Sequence, residues 1–423
     1  MNYSGQPPGV ASSGPKQKSQ KSKYHCSFDF IAQHVSIFNV DLLRKSYSGV
    51  SILKFRTCNT QPDKHLFCQL DVNCAKQLKL SKITVNNVDV KDFTHSYSRG
   101  SLLYLRSFVL SSVQKNKEET YYPCSLASLN PLVDELLSKD SQRGKSELRI
   151  TVPEEIQKKI ISNPKTELTV QVEFHCQEPK SGFYFFDSPN RSNQENHMYT
   201  CTNGLPGSAR LCFPCVDTYA ALATWKFELT CYSDQVAIAS GQLTNTVENA
   251  NGTKVFVYEL DVPTVAASIG IAIGHFSVIK DQHSSISHLC PTPLHDNMLA
   301  TTKYTPNDAF EFYENLLNQK YPYKHYRQVF VFDGYDDAVG FAGVSIIDAR
   351  FMHSKLIIEQ VNETRILSAH MLAKQYFGRY LQRSVKINNI YLINHFLRRE
   401  IEYLKIDNRN AFVIVKQFFD VKI

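Results

Sequence analysis

The residues that could do chemistry cluster around one histidine. His370 lies in the run Ser368-Ala369-His370-Met371-Leu372-Ala373-Lys374-Gln375. Two histidines four apart on a helix, with a glutamate beside the first, would hold a catalytic zinc ion and activate its water. None of the 14 histidines has a second one four residues away. Met371 follows His370, and Lys374 comes four residues on. A thioether takes no proton from water, and an ammonium repels a metal ion. A lone histidine falls short of zinc's four ligands, so His370 reads as a polar residue facing a cleft.

Other constellations are weaker. Cys212-Phe213-Pro214-Cys215 has the spacing of half a zinc knuckle, but no second Cys or His pair stands nearby. Asp333, Asp336 and Asp337 could make a carboxylate site, though a solvated loop is the plainer reading. No Gly-x-Ser-x-Gly elbow and no phosphate-cradling glycine loop occurs. The aromatic residues, 12% of the chain, sit in strand patterns and not in a base-stacking platform.

The elements that position these residues follow from periodicity. Residues 362–378 read as a helix with Asn362 as cap and Gly378 at the exit. Its buried face is Ile366, Ala369, Ala373, Tyr376 and Phe377, at three- and four-residue steps. Strands are expected at 328–332 and 344–348. Thr305-Pro306-Asn307-Asp308 starts another helix, with Phe310, Tyr313, Leu316 and Leu317 inward. Upstream, the runs 49–55, 147–153, 167–174, 225–230 and 253–258 alternate as half-buried strands, with Asn251-Gly252 as a hairpin turn before the last. A short helical piece falls at 132–137.

Composition sets the domain plan. With 43% hydrophobic residues in 423, the chain has enough for two or three cores. Residues 1–24 form a polar tail bearing Lys16, Lys18, Lys21 and Lys23, read as solvated and disordered. Residues 25–279 are a large antiparallel β domain. The composition turns loop-like between His275 and Thr302, and 280–383 follow as a mixed α/β domain. The formal net charge of +7 permits an acidic partner without demanding one. Eleven irregularly spaced cysteines and no visible secretory leader read as reduced thiols of an intracellular protein. The apolar run Val262–Phe276 is too short to span a bilayer.

Four stretches together resemble the gluzincin aminopeptidases. Ala209-Arg210-Leu211-Cys212-Phe213-Pro214-Cys215-Val216-Asp217 is similar to the family's Arg-x-x-Phe-Pro-Cys-x-Asp segment. Ile271-Ala272-Ile273-Gly274-His275-Phe276 resembles the strand closing its N-terminal domain. Ala342-Gly343-Val344-Ser345-Ile346 falls on its Gly-Ala-Met-Glu-Asn motif, and the helix around His370 falls on its zinc helix. The resemblance implies an aminopeptidase-like N-terminal β domain followed by an incomplete thermolysin-like α/β domain.

The resemblance also implies lost catalysis. Met371 stands for the general-base glutamate and Lys374 for the second histidine. Ser345 stands for the glutamate that holds the substrate's amine, and Ile393 for the third ligand. No catalytic residue, zinc or other cofactor, small-molecule substrate or membrane is then expected. The match is close to a non-catalytic branch that serves RNA polymerase II initiation in the nucleus. Its expected partners are the TATA-binding protein, that protein's associated factors and core promoter DNA. No residue is assignable to DNA contact. A zinc aminopeptidase with an atypical site is the alternative. Residues 384–423 depart from the family pattern, with Glu400 and Glu402 out of register as ligands, which implies a shortened or alternative form.

Overall fold

The computed structural model describes residues 28–57, 68–96, 146–163, 166–188, 195–201, 207–218, 220–281, 285–302, 307–354, 357 and 359–376. The tail, the piece at 132–137, Phe377, Gly378, Ile393, Glu400 and Glu402 lie outside these residues.

In chain order the strands begin with β1 (Phe28–Asp41), β2 (Ser46–Thr57), β3 (Gln69–Val72), β4 (Lys79–Val85), β5 (Val88–Asp89), β6 (Phe93–His95) and β7 (Leu148–Thr151). After helix α1 (Glu154–Ser162) come β8 (Glu167–Gln177), β9 (Phe183–Phe186), β10 (His197–Thr200), β11 (Ala223–Tyr232), β12 (Val236–Ala239), β13 (Gln242–Glu248), β14 (Thr253–Thr264) and β15 (Ile271–Gly274). The rest are β16 (Phe276–Lys280), β17 (Ile286–Pro291), α2 (His295–Thr302), α3 (Asn307–Leu317), β18 (Tyr326–Val331), β19 (Ala338–Phe341), β20 (Val344–Asp348) and α4 (Glu359–Gln375).

The first fifteen strands make an eight-stranded sheet in the order β13-β14-β11-β1-β2-β8-β4-β5, a four-stranded sheet β12-β15-β10-β9 and a small sheet β3-β7-β6. Period-2 alternation causes this directly. On β8, Leu168, Val170, Val172, Phe174 and Cys176 turn inward, while Thr169, Gln171, Glu173 and His175 stay half-exposed. On β11, Trp225, Phe227 and Leu229 do the same. These side chains meet Met198, Ala237, Ile271 and Ile273 of the smaller sheet in one core. Burying each large apolar side chain contributes about 1.5–3 kcal/mol. One pairing departs from the antiparallel expectation, because β1 runs parallel to β11.

A five-stranded mixed sheet, β16-β17-β18-β20-β19, forms the second part, with β17-β18 and β18-β20 parallel. This corrects the loop-like reading of 275–302, which holds β16, β17 and α2. The inner strand β17 is buried nearly throughout, so it lacks alternation. Pro291 and Pro293 mark its exit and the turn into α2.

Helix α4 covers this sheet. It begins at Glu359, so Asn362 lies within the helix and does not cap it. Thr364, in its second turn, donates from Oγ1 to the Phe351 carbonyl at 2.5 Å. Ala373 and Tyr376 are buried as expected, but Ile366 and Ala369 are only half-buried. Met371, Leu372 and Gln375 take the inward positions instead. Behind the helix, Phe310, Tyr321, Tyr326 and Tyr376 interlock edge to face and Tyr313 lies tilted against Tyr376, with ring centroids 5.0–6.2 Å apart.

Candidate functional site

Ser345 sits on β20 between β18 and β19, wholly buried. The Tyr326 hydroxyl donates to its Oγ at 2.9 Å, and the Gln375 amide at 3.4 Å. Gln375 Oε1 in turn accepts from the Gly343 N–H at 2.9 Å and the Tyr321 hydroxyl at 3.4 Å. Gly343 closes the β19–β20 hairpin at φ +72°, where a glycine is needed. Burial pushes the Tyr326 hydroxyl up to about 12, so it remains a donor at neutral pH.

The network extends across the sheet. His288, Gln328 and Ser345 stand side by side on β17, β18 and β20. His288 Nδ1 lies 3.0 Å from Gln328 Oε1, and its Nε2 lies 2.9 Å from Asp281 Oδ2. His288 and Gln328 are fully buried. Sequence reasoning missed this row. Its only signal is that polar side chains interrupt the buried runs of β17 and β18.

The helix residues divide by side. His370 and Lys374, four apart, share a face and are half-buried. Met371 points elsewhere and is buried in the core. The Lys374 stem runs along β19, so a Cβ on Gly340 would lie 3.7 Å from Lys374 Cβ. Ser345 meets the helix through Gln375. Among the described residues no group of three His, Cys, Asp or Glu side chains could hold a metal ion. An open hollow of about 360 Å³ lies at the other end of α4, lined by Arg350, Phe351, Gln360, Glu363 and Thr364.

The remaining candidates have structural partners. Asp337 pairs with Arg350, and Asp333 accepts from the Tyr184 hydroxyl, in an exposed setting. Cys212 and Cys215 are core residues, and burial pushes both thiols up. Their segment is fixed by a buried ion cluster. Arg210 Nη1 donates to Glu147 Oε1 at 2.9 Å, and Arg210 Nε donates to Asp217 Oδ2 at 3.2 Å. Asn73 donates to Glu147 and accepts from the Asp217 N–H. Burial works against the Arg210 charge, but Asp217 and Glu147 outweigh it and raise its pKa. Glu147 appeared in the sequence only as the start of an alternating run.

Known proteins share this architecture. Residues 130–265 match the Peptidase M1 N-terminal domain. Native yeast LTA4 hydrolase superposes with a TM-score of 0.58 at 14% identity, over 83% of this chain and 44% of that one. The chain is 31% identical over 358 residues to a Gallus gallus protein named transcription initiation factor TFIID subunit 2. It is 35% identical over 355 residues to the protein of that name from Danio rerio. In both cases the match covers 83% of this chain, and the chain spans 28% of the relative's length. Over most of its length the chain is thus similar in sequence to part of the proteins named TFIID subunit 2, and in fold to LTA4 hydrolase.

Proposed function

We propose that this chain is a non-catalytic scaffold of general transcription factor IID, working in the nucleus in assembly of the RNA polymerase II preinitiation complex. The similarity to proteins named TFIID subunit 2 over 83% of the chain carries this reading. The β part and the partial peptidase-like part that begins with β16 serve as docking bodies. Partners are the TATA-binding protein and its associated factors, with core promoter DNA engaged inside the complex. The net charge of +7 is compatible with a salt-sensitive phosphate contribution to DNA binding.

The site chemistry supports the absence of catalysis. A substrate's free amine needs a charged partner. Ser345 is neutral, buried and already engaged by Tyr326 and Gln375. Met371 offers no base, and Lys374 brings a positive charge to the face that carries His370. The fold likeness to LTA4 hydrolase favours a zinc aminopeptidase as the second reading, but it reaches the fold alone. Affinity purification of the tagged chain from nuclear extract tests the proposal. Co-purification of the TATA-binding protein with its associated factors is expected. Zinc in the pure protein together with amide cleavage would overturn it.

A further inference from the structure

The β13–β14 hairpin tip carries reactive chemistry unrelated to the peptidase-like site. Asn251 and Gly252 are exposed there. Gly252 takes φ +78°, and a Cβ added to it would meet nothing within 4 Å. Two donors converge on the Asn251 side-chain carbonyl. The Thr253 hydroxyl donates to Oδ1 at 2.7 Å, and the Thr253 N–H donates at 3.3 Å. The Thr253 oxygen is itself held by Asn249 Nδ2 at 3.0 Å. The amide carbon is thereby polarised, and its next main-chain nitrogen belongs to a residue without a side chain to obstruct approach.

We infer that Asn251 is a self-modification site, converting to aspartate and isoaspartate through a cyclic imide closed by the Gly252 nitrogen. Gly252 N gives its proton to water or hydroxide and bonds to Asn251 Cγ. Negative charge develops on Oδ1, where the Thr253 hydroxyl and N–H already point, as donors do in an oxyanion hole. The Cγ–Nδ2 bond then breaks, and Nδ2 leaves as ammonia after taking a proton from water. One water molecule opens the imide at either carbonyl. No redox partner is needed, and the net change is amide plus water to acid plus ammonia. The turn bond from Gly252 N to Asn249 O, at 3.2 Å, opposes the first step but lies at the long end for such bonds.

The consequence falls on a sheet edge. β13 is the outermost strand, and its register on β14 is set by this turn. An isoaspartyl link lengthens the main chain by one methylene at that turn. Either product adds a carboxylate at the hairpin that holds the Glu248–Lys254 pair.

The experiment is incubation of the folded full chain at mildly alkaline pH, followed by peptide mass mapping with isoaspartate detection. The other Asn-Gly pair, Asn203-Gly204, is read out separately in the same digest. Expected are both products at Asn251, forming faster as pH rises. Thr253→Val should form them several-fold more slowly, and Thr253→Ser should restore the rate. An unaltered rate in Thr253→Val overturns the assignment. So does an intact Asn251 in folded protein over a period in which the denaturant-unfolded chain converts there.

Discussion

Replacing Arg210 with methionine tests how the loop that carries Phe213 and Cys215 is held. The side chain is 6% exposed, and those of Glu147 and Asp217 are fully enclosed. Methionine roughly fills the stem's volume but removes the charge and three hydrogen bonds, including that from Nη2 to the Asp217 carbonyl at 3.1 Å. Two carboxylates are then buried without a cation. Breaking a buried pair from one side costs about 3–5 kcal/mol, because the orphaned charge is the expensive part. That is about three powers of ten in the folding equilibrium.

The assay is built into the chain. Trp225 is its one tryptophan and is buried, with its ring 6.1 Å from that of Phe213 in the same loop. Denaturant titration followed by Trp225 fluorescence should show the loss. The pH dependence provides a second check. Burial holds Asp217 above the ordinary carboxylate range, with Arg210 opposing. Without Arg210 its pKa rises further. An acid with a raised folded pKa costs stability above that pKa, and the cost fades as pH falls through it. The deficit of Arg210→Met should therefore narrow on going from neutral to mildly acidic solution. Arg210→Lys should recover only part of the loss, since one ammonium cannot span both acids as the guanidinium fork does. A deficit below about 1 kcal/mol, the range of exposed pairs, would refute the reasoning.

Acid should destabilise the junction of the four- and five-stranded sheets through His197, which packs between Phe186, Tyr199, Phe276 and Phe332. Burial lowers its pKa from 6.5 to about 4. The unfolded chain then binds the proton first, so about 3 kcal/mol is lost as pH falls from 6.5 to about 4; His197→Phe should flatten that part of the stability–pH curve. Ser345→Ala deprives the Tyr326 hydroxyl and the Gln375 amide of their shared acceptor and should cost about 1–3 kcal/mol in denaturant unfolding. Ser345→Glu should cost more, by burying a carboxylate, and should gain no activity on a chromogenic aminoacyl amide; measurable release would sink the account of the site.

The strands were legible where one face is wet. β2, β8, β11 and β14 fall on the alternating runs, and the Asn251-Gly252 turn stands where its residue types demand. Where both faces are covered legibility was uneven: β18 and β20, buried almost throughout, match the strands expected at 328–332 and 344–348, whereas β17 was read as loop. β17 has no alternation to read, and its prolines look like loop when they mark its end. The α4 face was half right for a related reason. Apolar spacing picked out Ile366 and Ala369, but the helix lies with Met371, Leu372 and Gln375 inward, because its contacts are β19 and an aromatic cluster distant in sequence. His370, Met371, Lys374 and Ser345 were singled out only by the resemblance to an aminopeptidase motif. The partners of Ser345 were not, since Tyr326 comes beside it through sheet register and Gln375 through the packing of α4 on the sheet.

Those partners explain how Ser345 is buried without a charge beside it. A buried polar group must be satisfied or it destabilises the fold. At Ser345 a carboxylate would need a cation to repay its desolvation. A serine needs only donors, and the Tyr326 hydroxyl and Gln375 amide supply them. Gln375 uses its other end to accept from the hairpin N–H of Gly343, so one side chain ties α4 to both β20 and the β19–β20 turn. Alanine at 345 would be simpler in isolation but would orphan two buried donors at once. The bonds among Ser345, Tyr326, Gln375 and Gly343 are therefore self-consistent as a set, and replacing Ser345 or Gln375 breaks more than one of them at once.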